Sequence, residues 1–367
     1  MNPTTASAAT LPTPPAPAAA AGSRLRENNF DALRLIFAAM VVVYHTALLS
    51  QAPALGWGLY ISSTFAVQAF FVVSGFLVTM SFENSSSLKG YALKRLRRIA
   101  PAYIVVVVGA AVLLATLSTL PASQYFASLE FWRYLGFNLI LSNFSAPSLP
   151  GVFTSHFETA VNGSLWTIKI EVAFYCTVPL MVWASRRFGY RATLATVFVA
   201  SLLWKLGFGV AAASTGVEFY ARLAKQLPGQ LCFFAGGAWA YYRVREGAVM
   251  RAWPALLGAL AYAATDGLLH EALAPLAVTA VVRWAAIDAP RLPRVGKHGD
   301  FSYGAYLYHF PLVQVFVACG LFQWSVPAAA LLLFALVAVV AVLSWYVVEA
   351  PMLHERLPAG AVSGHGR

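Results

Sequence analysis

The chain has 367 residues, 59% of them hydrophobic and only 11% charged, with a mean hydropathy of +0.68. A soluble domain carries about 25% charged residues to cover its surface, so a purely water-soluble globule is excluded. An aromatic content of 14% excludes disorder over most of the length. Lys and Arg number 25 against 14 Asp and Glu, a net +11, and in so apolar a chain that excess is read first for its distribution across a bilayer.

Residues 1–28 are Ala/Pro/Thr-rich and uncharged before Arg24. They lack the basic start and apolar core of a signal peptide, and predict a disordered cytoplasmic tail followed by an uncleaved anchor. A spanning helix needs about 20 mostly apolar residues. Ten segments qualify: 29–50, 57–82, 99–120, 166–185, 192–212, 226–243, 253–268, 270–287, 302–322 and 326–348. The predicted fold is all-α, a polytopic membrane helix bundle of about ten transmembrane helices over 29–351, with a short tail at 352–367. The seventh and eighth segments are weakest, with Asp266, His270 and Glu271 at their junction, and fit a tight hairpin. Residues 131–144 are too short to span and predict an interfacial or re-entrant stretch.

The cations sort by side. Nineteen fall on the two tails and the connections after the second, fourth, sixth and eighth segments; Arg133, Arg222 and Lys225 fall opposite; Arg34, Lys169 and Lys205 lie within spans. This bias predicts both termini in the cytoplasm. The longest connection on the other side, 121–165, reads as functional or flexible. Cys176, Cys232 and Cys319 have no paired or metal-type spacing and read as small buried apolar residues. There is no HExxH and no Walker loop, so no metal is expected.

Ionisable groups inside spans are costly. Arg34 and His45 are 11 residues apart, which places them within about 20° on one helix face and about 16 Å apart along it. Asp31, one turn earlier, is placed to orient Arg34. Glu171 falls at a depth similar to that of His45, and a carboxylate beside an imidazole raises its basicity, as a general base requires. Blander readings stay open: interfacial anchors for Asp31 and Arg34, a structural His45, and Glu171 paired with Lys169 or Arg133. Ser74-Gly75 suits close helix approach and lacks the Gly-x-Ser-x-Gly context of a nucleophile. Lys94, Arg95, Arg97 and Arg98 fit either anionic lipid or a phosphate cradle. His309 is placed in the cytoplasmic half beside Pro311, Glu349 in a salt bridge with the cytoplasmic arginines, and His156, Glu158 and His270 in solvated loops.

Five motifs in register resemble the acyltransferase-3 family of integral membrane acyltransferases: Phe30-Asp31-Ala32-Leu33-Arg34 through Tyr44-His45, Phe70 to Leu77, Arg95-x-x-Arg98-x-x-Pro101, Trp166-Thr167-Ile168-x-x-Glu171-x-x-Phe174-Tyr175, and Tyr303-x-x-Tyr306-Leu307-Tyr308-His309-Phe310-Pro311. Two positions depart from the family pattern: Thr167 stands for the usual Ser, and Ala350 for the Arg of a closing Glu-Arg-Pro. The resemblance implies transfer of an acyl group, commonly acetyl, from cytosolic acyl-CoA to a hydroxyl of a cell-surface or lipid-linked glycan or similar acceptor, in a bacterial inner membrane. Acyl-CoA (acetyl-CoA) would be a co-substrate, with no permanently bound cofactor and no nucleic-acid partner. His45, Glu171 and Arg34 are the implied catalytic residues. Arg95 and Arg98, assisted by Lys94 and Arg97, would hold the CoA phosphates, and Trp166, Tyr175, Ser74 and His309 would contact substrate. A carrier or flippase for a polar solute stays open as a second class, disfavoured by the absence of an inverted repeat.

Overall fold

A computed structural model describes residues 17–293 and 295–353. It is helical throughout, with no strand among the described residues. In an apolar solvent only helices and closed barrels satisfy every backbone polar group internally. The helices are α1 (Pro17–Arg26), α2 (Phe30–Ser50), α3 (Ser63–Glu83), α4 (Leu88–Leu113), α5 (Ala122–Ala127), α6 (Leu129–Leu139), α7 (Trp166–Phe188), α8 (Tyr190–Thr215), α9 (Glu218–Ala224), α10 (Leu227–Arg245), α11 (Ala252–Ala264), α12 (Gly267–Arg283), α13 (Phe301–Ala318), α14 (Leu321–Trp324), α15 (Val326–Ser344) and α16 (Ala350–Leu353). Seven helical stretches, those containing α2, α3, α4, α7, α8, α12 and α15, are long and apolar enough to cross a membrane. Helices α10, α11 and α13 occupy the other three predicted segments. The end of the bundle that carries α1 and α16 is called the basic end, and the opposite end, with residues 114–165, the loop end.

Three expectations change. First, residues 17–26 of the predicted tail are helical, and Arg24 pairs with Asp288 and donates to the Ala248 carbonyl (3.2 Å). Asn29 is buried and donates to the Ala285 and Pro290 carbonyls, so the approach to α2 is packed. The rest of that tail, 1–16, and most of the second, 354–367, lie outside the described residues. Second, α4 begins well before residue 99, so the run Lys94–Arg98 is helix and not a connection. Ser87 caps it by accepting from the Gly90 N–H (3.0 Å), and Lys and Arg are good helix formers. Third, the loop 121–165 is packed. Tyr125 donates to the Ala111 carbonyl (2.7 Å), Tyr103 to Asn138 (2.8 Å), and the 131–144 stretch is mostly α6, with Phe131 and Tyr134 buried. His156, predicted to be solvated, meets the buried Gln314 at 2.8 Å.

The tightest helix pairing is α3 with α10. A Cβ on Gly75 would run into the Phe234 carbonyl, and one on Gly237 into the Val72 carbonyl. Small residues let membrane helices approach this closely. Phe174 of α7 stacks on Phe234 at 4.5 Å and meets Phe71 edge-on at 5.1 Å, joining a third helix to the pair. The close-approach role suggested for Ser74-Gly75 therefore belongs to Gly75. On the other flank α13 is buried along most of its length between α2 and α15, with Gly304 against Ala341. Gly75→Ala and Gly237→Ala should each destabilise the protein by about 1–3 kcal/mol through overpacking, read as a lower unfolding midpoint in detergent; unchanged midpoints would contradict this packing.

Candidate active site

Two chambers abut inside the bundle. The first, of about 110 Å³, lies toward the basic end and is bordered by Arg34, Phe70, Ser74, Arg95, Arg98, Glu171, Tyr175 and Tyr303, among others. The second, of about 330 Å³, lies toward the loop end and is bordered by His45, Gln68, Trp166, Lys205, Gln230, Glu271 and others. Val67 and Tyr306 border both. The Tyr306 hydroxyl is 2.7 Å from Thr167 Oγ1, and Phe70 meets its ring edge-on.

Beneath the smaller chamber lies a charge network. Asp300, at the foot of α13, pairs with both Arg34 of α2 and Arg98 of α4. Arg98 Nη1 also reaches Glu349 Oε2 (2.9 Å), and Ser344 donates to the other Glu349 oxygen (3.0 Å). A π-helical turn at Trp345–Glu349 follows α15 and leaves Glu349 buried; such turns recur at functional sites. Ser302 caps the carboxylate of Asp300 with its N–H and hydroxyl. Burial alone would raise the Asp300 carboxyl, but Arg34 and Arg98 outweigh it and hold it at about 2.

The basic residues divide. Arg98 is paired with two carboxylates, Asp300 and Glu349, while also bordering the smaller chamber. Arg95 is less committed. It donates to Ser81 Oγ (3.3 Å) and lies over the Tyr175 ring, and its Nε is buried without a partner among the described residues. Ser74 Oγ is likewise buried and unpartnered, on the same chamber. Lys94 is exposed and Arg97 half-buried, and neither borders the chamber. Asp31 is exposed against Gly296, so Arg34 is oriented by Asp300 instead. Glu349 does form the predicted salt bridge.

His45 and Glu171 are not partners. Glu171 borders the smaller chamber and accepts from the Tyr175 hydroxyl one turn below (2.5 Å), whereas His45 borders the larger. The partner of His45 is His309, with Nδ1 and Nε2 2.9 Å apart. His309 therefore lies level with His45 and not in the half of the bundle nearer the basic end. The chain from 295 to 300 has already entered the bundle before α13 begins, as the Asp300–Arg34 pair shows. His309 is fully buried and borders neither chamber, so it contacts His45 and not the chamber space.

The hydrogen bonds fix the tautomers. His309 Nδ1 lies 2.8 Å from the Tyr306 carbonyl and 3.2 Å from that of Ala305. Carbonyls only accept, so this nitrogen carries the proton. In a neutral ring His309 Nε2 then accepts, and the proton between the rings belongs to His45 Nδ1. That leaves His45 Nε2 with a free lone pair, in a ring that borders the larger chamber. Such a nitrogen can take a proton from a hydroxyl.

With this geometry in view, similarity to known proteins becomes informative. Residues 27–348 match the acyltransferase-3 family, described as an acyltransferase domain. The chain belongs to this family. It is 28% identical over 340 residues to an O-acetyl transferase of Shigella phage Sf6, covering 91% of this chain and 98% of that protein. It is 27% identical over 369 aligned positions to Nodulation protein 10 of Rhizobium leguminosarum bv. viciae, covering 90% and 94%. No solved structure matches significantly. The protein is thus a multi-pass membrane acyltransferase.

Asp300 lies outside the predicted spans and Gln68 and Gln230 carry no charge, so none stands out as an ionisable group within a span. The signal for Asp300 is an acid placed immediately before a helix at the end of a basic connection. Asp300→Asn should leave Arg34 and Arg98 short of a carboxylate and cost about 3 kcal/mol, seen as a lower unfolding midpoint in detergent. Because the folded value lies below the ordinary ~3.9, the contribution of Asp300 is complete above about pH 4 and is lost as pH falls toward 2. An Asp300→Asn midpoint equal to wild type at pH 7 would refute the clamp.

Proposed function

We propose that the protein is an integral membrane O-acyltransferase that moves an acyl group, acetyl in the first instance, from cytosolic acyl-CoA to a hydroxyl of a cell-surface or lipid-linked glycan. In this reading the bundle spans a bacterial inner membrane, with the basic end and both termini in the cytoplasm, as the distribution of cations favours. The observation that carries it is the free Nε2 of His45 on the larger chamber, across the Val67–Tyr306 partition from a smaller one rich in arginine.

The smaller chamber, about 110 Å³, suits a thin acyl-pantetheine arm and not a nucleotide. The CoA phosphates stay at the basic end near Lys94 and Arg97. Arg95 Nε and Ser74 Oγ, otherwise unpartnered, donate to the arm and its thioester. The acceptor hydroxyl enters from the loop end. His45 Nε2 takes its proton as the oxygen attacks the thioester carbonyl. The C–S bond breaks, and the thiolate leaves with the proton returned from the imidazolium, giving ester and free CoA thiol. His309 is a positioning residue that holds the reactive tautomer. Glu171 holds Tyr175, which with Arg34 shapes the donor chamber.

General-base assistance is typically worth about 10²–10⁴-fold, so His45→Ala should lower kcat by that factor in purified enzyme supplied with labelled acetyl-CoA and a glycan panel. His309→Ala should lower kcat with little change in the donor KM, and His309→Gln, whose amide oxygen accepts from His45, should recover part of the loss. Arg95→Met should raise the donor KM about tenfold or more, the loss of a charge-assisted hydrogen bond. Full turnover by a folded His45→Ala, or movement of a polar solute without CoA consumption, would displace this reading in favour of another mechanism or a carrier.

A further inference from the structure

We infer that Gln68, Gln230 and the Lys205–Glu271 pair form the acceptor subsite in the larger chamber, built to hydrogen-bond a hydroxyl-rich, uncharged sugar unit. This rests on the acyltransfer reading above for its role in turnover, but not for the binding itself.

The chamber is about 330 Å³, within the range of small-molecule sites. Its walls carry polar groups with no structural need for them. Lys205 lies in the middle of α8, a helix whose surface is mostly exposed, yet its side chain is buried and directed inward to Glu271 of α12 at 2.6 Å. An ion pair of this kind is no better for stability than two well-packed apolar residues, and intramembrane ionisable groups mark function. Gln230, at the start of α10, is 4% exposed and has no hydrogen-bond partner among the described residues. With no protein partner among them, its amide faces whatever fills the chamber, which it borders. The Oε1 of Gln68 accepts from the Tyr262 hydroxyl (3.2 Å), which leaves its amide N–H groups for the chamber.

The set offers both polarities. Lys205 and the amide nitrogens donate, and Glu271 and the Gln230 oxygen accept. A sugar hydroxyl does both at once, so a ring bearing several is matched at each. The Lys205 charge is already balanced by Glu271, and Lys225, which also borders the chamber, is exposed, so an anionic ligand is not called for at the buried wall. Trp166, beside the same chamber, supplies the flat apolar surface on which a sugar ring rests. A site with this many buried polar groups discriminates against a ligand that leaves them unpaired.

The test uses the purified full chain in lipid nanodiscs, with two arms. In the first, labelled acetyl-CoA is supplied with neutral oligosaccharides of glucose, rhamnose and N-acetylglucosamine, and with decanol as an apolar hydroxyl acceptor. Transfer to at least one sugar and not to decanol is expected. Gln230→Leu and Lys205→Met should raise the sugar KM about tenfold and leave the acetyl-CoA KM unchanged, which a general structural defect would not do. Glu271→Gln, on a half-exposed side chain, gives the same readout should Lys205→Met fail to fold. In the second arm, saturation-transfer NMR measures sugar binding with no donor present. Binding that is lost in Gln230→Leu supports the subsite even where turnover is absent, and absent turnover would then count against the acyltransfer reading alone. No sugar binding in wild type, an unaltered sugar KM in the folded variants, or decanol acetylated as well as the sugars would overturn the subsite.

Discussion

The position of Asp300 governs the rest of the site. One carboxylate, capped by Ser302, bridges Arg34 on α2 and Arg98 on α4 at the foot of α13. Three helices are thereby fixed at one height. From Arg34 to His45 is 11 residues, and from Asp300 to His309 is nine, about 16 and 13 Å of helical rise. The two imidazoles meet because the two helices are pinned at a common level below. A clamp of charges near one end of the bundle thus sets the register of a neutral hydrogen bond well inside it, and that bond decides which His45 nitrogen is free.

The charges around the smaller chamber are balanced. Arg34, Arg95 and Arg98 stand against Glu171, Asp300 and Glu349. Unbalanced charge in an apolar surround would be prohibitive, so the balance lets three arginines persist there. It also distributes their tasks. Arg34 pairs with one carboxylate and Arg98 with two, which gives rigidity, whereas Arg95 keeps one donor unused. The family's closing Arg is Ala350 here, yet Glu349 does not lack a cation, because Arg98 of α4 reaches it across the bundle. The departure at 350 therefore leaves that corner electrostatically complete.

Much of this was legible in the sequence, and what was missed has a common physical cause. Apolar run lengths locate the helices, and ionisable residues in those runs single out Arg34, His45 and Glu171. Spacing along one helix gives a face and a relative depth. It does not say which neighbour that face meets, nor whether two helices start in one plane. Glu171 was matched to His45 by depth, but the two open on different chambers. His309 was misplaced because α13 begins inside the bundle and not at its edge. The charged run Lys94–Arg98 resembles a connection by composition, yet Ser87 caps a helix that carries these cations inward. Gln68 and Gln230 carry no charge and so gave no signal, although a buried amide in a membrane helix demands a partner as surely as a charge does.

The partition between the chambers shows how little separates them. Tyr306 is fixed by Thr167 at 2.7 Å and by the Ser164 carbonyl at 3.3 Å, and Thr167 itself donates to that carbonyl at 3.1 Å. The family's usual Ser at this position would offer the same hydroxyl, so the replacement by Thr preserves the bond and adds only a methyl. Hydrogen bonds of this kind are each worth about 1 kcal/mol net. The ring is also buried against Phe70, so packing holds it together with these bonds. The bundle thus keeps the chambers apart with a buried tyrosine held by packing and hydrogen bonds, and holds the imidazole level with a clamp of charges.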